Sequence, residues 1–214
     1  MVIAIDGPAA AGKSTVARAL ADMLGLTYLD SGAMYRSVAL AALRAGVDPD
    51  DGAALRRVAR DLEIDLAGGR VWLDGEDVTE EIRAPEVSSA ASRVAVHPEV
   101  RAAMIERQRT LLAAGDYVAE GRDIGTVVSP GALLKVFLTA TDDERARRRA
   151  AETGDPLPDV LSAQSRRDAR DREREHGALR AAQDAVQIDT TRLSVEEVVD
   201  RLVALARERS LESR

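Results

Sequence analysis

Apolar residues are spaced in two ways along this chain. Short runs, VIAI at 2–5, DYVAE at 116–120, LLKVFL at 133–138 and AVQID at 185–189, predict buried strands. TYLDSG at 27–32 predicts a short strand ending in a loop. Elsewhere the spacing lengthens to three and four. Val16, Ala19, Leu20, Met23 and Leu24 line one face of a helix over 13–24. A helix is predicted from Ala33 to Ala45, and another after the turn GVDPDDG at 46–52, with acidic residues in its first turn. Two or three more fill the chain to about Ala114. An arginine-rich helix is predicted from Asp142 to about Ala151. It is interrupted by ETGDPLPD at 152–159 and resumes to about His176, and a last helix covers Val195 to Arg207. One stretch breaks the pattern: in EIDLAGGRVWLD, 63–74, Ile64 and Leu66 alternate, then Val71 and Leu73, across Gly68-Gly69. That is the signal of an antiparallel hairpin inserted into a strand–helix alternation.

The alternation implies an α/β fold with a parallel central sheet wrapped on both faces. Ligands in such folds sit beyond the carboxyl ends of the strands. The predicted strands end in Asp6, Asp30, Glu120 and Asp189, so candidate chemistry gathers at that edge.

The 214 residues suffice for one sizeable core with a small inserted subdomain. A net charge of −7 argues against nonspecific nucleic-acid binding. With no cysteine, and His97 far in sequence from His176, disulfides, thiolate metal sites and histidine clusters are excluded. The first apolar run stops at Asp6 and no stretch reaches membrane length, which predicts a cytoplasmic protein with no membrane partner. Lysine occurs at only two of the 30 basic positions, Lys13 and Lys135.

That scarcity sharpens one motif. GPAAAGKST, residues 7–15, fits G-x-x-x-x-G-K-[ST] at Gly7, Gly12, Lys13 and Ser14. At this chain's own residue frequencies a chance match is about one in a thousand. Glycines let the backbone wrap a phosphate, successive N–H groups form an anion nest, and the helix that follows adds its positive end. Lysine is the slim point charge such a loop needs, where the planar fork of arginine fits poorly. The reading assigns Gly7, Pro8, Ala9, Ala10, Ala11, Gly12, Lys13, Ser14 and Thr15 to ATP, with Ser14 as the ligand of Mg²⁺ in Mg-ATP.

Three further segments bear on what is done with the phosphate. DSGAMYR, 30–36, places Arg36 on a helix after the second strand, although Asp30 or Ser31 would also serve as a plain helix cap. EGRDIGT, 120–126, sets Glu120, Arg122 and Asp123 at the active edge; an ordinary loop ion pair is the alternative. ERARRR at 144–149 and RRDARDRERE at 166–175 flank the Pro/Gly interruption and suit a lid over a transferring phosphoryl group. Such mixtures at helical spacing suit a solvated, salt-bridged face equally well.

DGPAAAGKST, DSGAMYR, EGRDIGTVV and RRDARDRERE, in this order and spacing, resemble bacterial cytidylate kinases, P-loop nucleoside monophosphate kinases, over nearly the whole chain. The hairpin with GEDVTEEIR at 75–83 is similar to that family's enlarged monophosphate-binding insert. The resemblance implies a three-layer P-loop fold in a single domain over 1–214. Within it, 31–114 would be the monophosphate-binding region, 147–165 a short helical lid and the remainder core. It implies the reaction ATP + CMP → ADP + CDP, with dCMP also accepted. It places Ser31, Arg36, Arg122 and Arg174 around the CMP phosphate, Ser92, Arg101 and Asp123 at the cytosine, and Arg167 and Asp171 at the sugar. Arg148 and Arg149 become lid residues near the donor, catalytic with Lys13. Asp123 would accept from the N4 amino group of cytosine and oppose the carbonyl that uracil carries there. Departures from the family are Glu120, where aspartate is usual, and a lid holding Pro156 and Pro158. The partners expected are ATP and CMP or dCMP alone, for a monomer. Two other classes remain open on the phosphate loop itself: a P-loop kinase for another monophosphate or small metabolite, and a nucleotide-switched regulator or ATPase.

Overall fold

The chain forms two units, one of residues 1–29 and 114–214, the other of residues 30–113. The computed structural model describes residues 1–212. The first unit is built on a five-stranded sheet ordered β2 (Thr27–Asp30), β6 (Tyr117–Gly121), β1 (Val2–Asp6), β7 (Leu134–Thr139) and β8 (Val186–Asp189). β1 runs parallel to β6 and β7, and β7 parallel to β8. Ile3 lies level with Val118 and Leu134, and Leu138 with Ile188, so one face carries apolar rows. α1 (Lys13–Leu24) and α8 (Val195–Glu212) contribute Val16, Leu20, Val198 and Leu202 to the same core. β7 is fully buried only at alternate residues. Lys135, half-buried between Leu134 and Val136, reaches Asp184 at 2.9 Å, so the second lysine is a structural cation.

Two helices complete this unit, α6 (Asp142–Thr153) and α7 (Leu157–Glu173). The break between them is only Gly154 to Pro156, shorter than the expected 152–159. Gly154 ends α6 in the left-handed conformation, and Pro158 is absorbed into the first turn of α7, where its missing N–H costs nothing.

The second unit packs α2 (Ser31–Arg44), α3 (Gly52–Asp61), α4 (Pro85–Val94) and α5 (Pro98–Ala113) around its own core of Val38, Leu40, Leu55, Ile82, Val94 and Met104. Each unit thus has a core of its own. The inserted hairpin, β3 (Ile64–Ala67) with β4 (Arg70–Leu73), is joined by a third antiparallel strand, β5 (Glu76–Asp77). α2 starts at Ser31 with no intervening loop, because Asp30 Oδ1 accepts from Ala33 N at 2.9 Å and caps it. Asp51 caps α3 in the same way, so its acid stands at the cap rather than in the first turn.

Candidate active site

The phosphate loop runs from the end of β1 to the start of α1. Gly7 has φ +151°, and a Cβ there would lie 2.1 Å from the carbonyl oxygen of Leu138, so the backbone passes β7 where only glycine fits. Gly12, at φ 85°, opens α1, and no side chain caps the first turn. The N–H groups at that end keep their positive dipole for a ligand. Ser14 and Thr15 are exposed, while Lys13 is only 6% exposed and its ammonium donates to Pro8 O at 2.7 Å. Burial, then the nearby charge of Arg122, pushes Lys13 down to about 7.

The outside of the loop is pinned. Arg145, the largest fully buried side chain, donates to Ala9 O at 3.0 Å and to Asp168 Oδ2 at 2.6 Å. Thr190, just past β8, lies 3.2 Å from Ala11 O and accepts from Arg148 Nη1 at 3.1 Å. In a trans peptide the C=O and the following N–H point oppositely. Holding Ala9 O from outside therefore aims the N–H group of Ala10 the other way.

Beside the loop stands a cluster of cations. The buried face of α7 carries Val160, Gln164, Asp168 and Asp171. Asp171, 1% exposed, accepts from Arg122 Nε at 2.8 Å and from Arg174. Burial opposes ionisation of Asp171, but Arg122, Arg174 and Arg167 outweigh it and hold the carboxyl below its ordinary value. Burial likewise works against the Arg122 charge, and Asp171 overcomes it, leaving the guanidinium above its ordinary value. Lys13 feels Arg122, Glu120, Arg167 and Asp171 together. The structure thus groups Lys13, Arg122, Arg167, Asp171 and Arg174. The arginine-rich run of α7 splits by face: Arg167 is partly buried near Lys13, whereas Arg166 and Arg172 are exposed.

Asp123 is buried at the head of a single π-helical turn, Ile124–Val128. Asp6 fixes that turn, accepting from the N–H groups of Ile124 and Gly125 at 2.8 Å each. Burial pushes Asp6 up to about 6 against those two bonds, with Asp123 adding to the rise. Glu120, also buried, accepts from the Tyr28 hydroxyl.

The two arginines expected near the donor differ. Arg148 donates to Thr190 O at 2.7 Å, and its Nη1 would lie 3.8 Å from a Cβ on Gly12, so it stands at the loop. Arg149 pairs with exposed Glu152 at 3.2 Å, one turn away on the same helix.

The remaining expected residues belong to the 30–113 unit. Arg36 donates to Asp30 Oδ2 at 2.8 Å, which commits both Asp30 oxygens within α2 and its cap. Ser31, Ser92 and Arg101 are buried, and Arg101 stands 3.4 Å from the Tyr35 hydroxyl. The Ser92 hydroxyl has no hydrogen-bond partner among the described residues, an unfilled acceptor and donor at a buried position.

Sequence reasoning missed Arg145, Asp168 and Thr190. Arg145 sits in ERARRR, where its neighbour Arg147 is a surface residue paired with Glu144, and periodicity assigns every arginine of such a run to solvent. The one available signal was Ala146 beside it, the other buried residue of α6.

A family model described as cytidylate kinase matches residues 3–208. A curated cytidylate kinase of Geobacillus kaustophilus is 51% identical, over 97% of this chain and 96% of its own. That of Geobacter sulfurreducens is 47% identical, over 98% and 94%. Among solved structures, a gluconokinase from Sinorhizobium meliloti aligns with a TM-score of 0.52 at 18% identity, over 99% of this chain and 95% of that one. An uncharacterised protein from Eubacterium ventriosum aligns with 0.56 at 12%, over 97% and 98%. At these identities the structural likeness is one of fold.

Proposed function

The chain belongs to the cytidylate kinase family, and from that premise we propose that it transfers the γ-phosphoryl group of ATP to CMP or dCMP, releasing ADP and CDP or dCDP. The observation that carries the reading is the charge beside the phosphate loop. Four cations, Lys13, Arg122, Arg167 and Arg174, gather around the buried carboxylates Glu120 and Asp171, with Asp6 and Asp168 acting on Lys13 and Arg122 from beyond them. That concentration of cations at one loop suits two phosphorylated substrates better than one nucleotide and a water.

Lys13, the loop N–H groups and Arg148 hold the donor phosphates; Arg149 is the second arginine of the lid at 147–165. Arg122 and Arg174, oriented by Asp171, clamp the CMP phosphate, with Arg167 and Asp171 at the sugar. Ser31, Arg36, Ser92 and Arg101 keep the CMP-binding roles that the motif resemblance implies. Asp123 accepts from the cytosine amino group and disfavours UMP; a buried polar group left without its partner costs about 1–3 kcal/mol. A phosphate monoester oxygen is already anionic near neutral pH, so no general base is needed. That oxygen attacks the γ-phosphorus as the bond to the β-phosphate oxygen breaks, and the cations neutralise the charge spread over the transferring group.

The donor set fits a Mg²⁺ brought in by the nucleotide. Ser14 offers an exposed hydroxyl in the first turn of α1, and among the described residues no group of three or more His, Cys, Asp or Glu could hold a metal unaided. When bound, the ion offsets phosphate charge. Residence in the cytoplasm and a monomeric state complete the proposal; among the described residues no helix is long and apolar enough to cross a membrane.

The test is ADP release from Mg-ATP with CMP, dCMP, UMP, AMP and GMP in parallel. Fastest turnover with CMP and dCMP is expected. Slow hydrolysis indifferent to every monophosphate would overturn the proposal.

A further inference from the structure

Arg145 is almost wholly buried, and its guanidinium is divided between three segments. Nη1 donates to Ala9 O of the phosphate loop at 3.0 Å. Nη2 donates to Asp142 Oδ1 and to Asp168 Oδ2, each at 2.6 Å, and Nε approaches Ala140 O at 3.3 Å. Its side chain is 1% exposed and that of Asp168 4%. A pair removed so fully from water persists only where its geometry is held tightly, and apolar residues would fill the same space at lower cost. The placement of Asp168 suggests what the pair is kept for. Asp168 and Asp171 lie one turn apart on the buried face of α7. Asp168 faces Arg145 and the donor loop; Asp171 faces Arg122 and Arg174. The charge of Asp168 is also felt at Arg122. α7 therefore holds the donor loop with one carboxylate and the acceptor arginines with the next.

We propose that Arg145 is a positioning residue that sets the direction of the Ala9–Ala10 peptide, and that the Arg145–Asp168 pair couples donor binding to acceptor binding through α7. The coupling half rests on the reading of Arg122 and Arg174 as the acceptor clamp. If α7 shifts when the acceptor's phosphate draws on Arg122 and Arg174, Asp168 moves with it and Arg145 retunes the loop. Coupling of this kind is reciprocal: CMP tightens ATP, and ATP tightens CMP, by one factor.

The experiment uses the full chain and a non-hydrolysable ATP analogue with Mg²⁺, its dissociation constant measured by calorimetry with and without saturating CMP. Arg145→Met strands Asp168 and is liable to misfold. The main variant is therefore Arg145→Met/Asp168→Leu, which removes both charges at similar volume, with Arg145→Lys as the conservative control. In the wild type, CMP should tighten the analogue at least about fivefold, the lower end of ordinary coupling. In the folded double variant the factor should fall towards one, and the affinity without CMP should drop about tenfold as the peptide loses its direction. Arg145→Lys should recover part of both. A double variant with wild-type melting temperature, affinity and coupling overturns the proposal, as does a wild type with no coupling although CMP binds. If CMP does not bind at all, the proposed substrate is wrong, and the positioning role of Arg145 stands or falls on the analogue's affinity alone.

Discussion

Replacing either glycine of the phosphate loop by alanine tests how the loop is built, because the structure assigns the two different penalties. A Cβ on Gly7 would lie 2.1 Å from Leu138 O and 3.1 Å from Leu138 C, both backbone atoms of β7. Leu138 is itself paired with Ile188 of β8, so relief requires moving two strands by about an ångström. A Cβ on Gly12 meets only Arg148 Nη1, at 3.8 Å, an ordinary contact with the end of a side chain. Both positions have positive φ, which costs an L-residue about 1–3 kcal/mol. Gly7→Ala adds an overpacking cost of about 1–3 kcal/mol. In a chain of this size 1 kcal/mol shifts the melting temperature by about 2–4 °C. Gly7→Ala should therefore melt about 2–12 °C below Gly12→Ala. The assay is thermal unfolding of the nucleotide-free protein by circular dichroism, which reads the backbone and not the ligand. Equal melting temperatures, or a lower one for Gly12→Ala, would refute the argument that β7 dictates glycine at position 7.

Lys13→Ala should abolish nearly all phosphoryl transfer from ATP to CMP, since no other lysine stands at the loop; near-wild-type ADP release would sink the assigned role. Binding of ATP should take up a proton above neutral pH. The empty site holds Lys13 at about 7, below its ordinary value, and a polyanion favours the charged form. At pH 8 the uptake should approach about 0.9 proton, read by calorimetry in two buffers of different ionisation enthalpy, and affinity should weaken as pH rises from 7 to 9. No uptake would show Lys13 already charged. Asp123→Ala should narrow the preference for CMP over UMP by about tenfold or more, measured as the ratio of kcat/KM values; an unchanged ratio removes Asp123 from base recognition.

What the sequence made legible was what periodicity and rare residues encode. The strands, the helices, the hairpin and the phosphate loop follow from apolar spacing, glycines and one of two lysines. Arginine was the opposite case. In a chain with 28 arginines among its 30 basic residues, the side chain of Arg145, buried, and that of Arg147, exposed, are written alike. Only tertiary partners separate them, and Asp168 lies 23 positions away from Arg145. The turn at Ile124–Val128 was illegible for a related reason. Its residues favour a strand, and Asp6, 118 positions earlier, supplies the carboxylate that bends them. The loop expected before α2 vanished because a local cap, Asp30, completes the helix at once.

The buried charges of the first unit fall into two kinds, and the difference bears on function. Arg145 is balanced by Asp168 and Asp142, so its environment is complete without a ligand. Lys13 is in a different position: burial and the nearby guanidiniums drive the lysine towards its neutral form, although Glu120 and Asp171 act the other way. Such a site is held in an electrostatically unfavourable state by the packing around it. An arriving phosphate relieves that state, and the same cations then stabilise charge that develops only during transfer, with no reorganisation left to perform. The chain's overall charge of −7 does not oppose this. Much of its surface acid is paired with surface arginine, as in Arg44 with Glu76 and Glu81 or Arg93 with Asp48 and Asp50, and such pairs are screened by solvent. The field at the phosphate loop is set by the few charges sharing its low-dielectric surroundings, Lys13, Arg122, Arg167 and Arg174 among them.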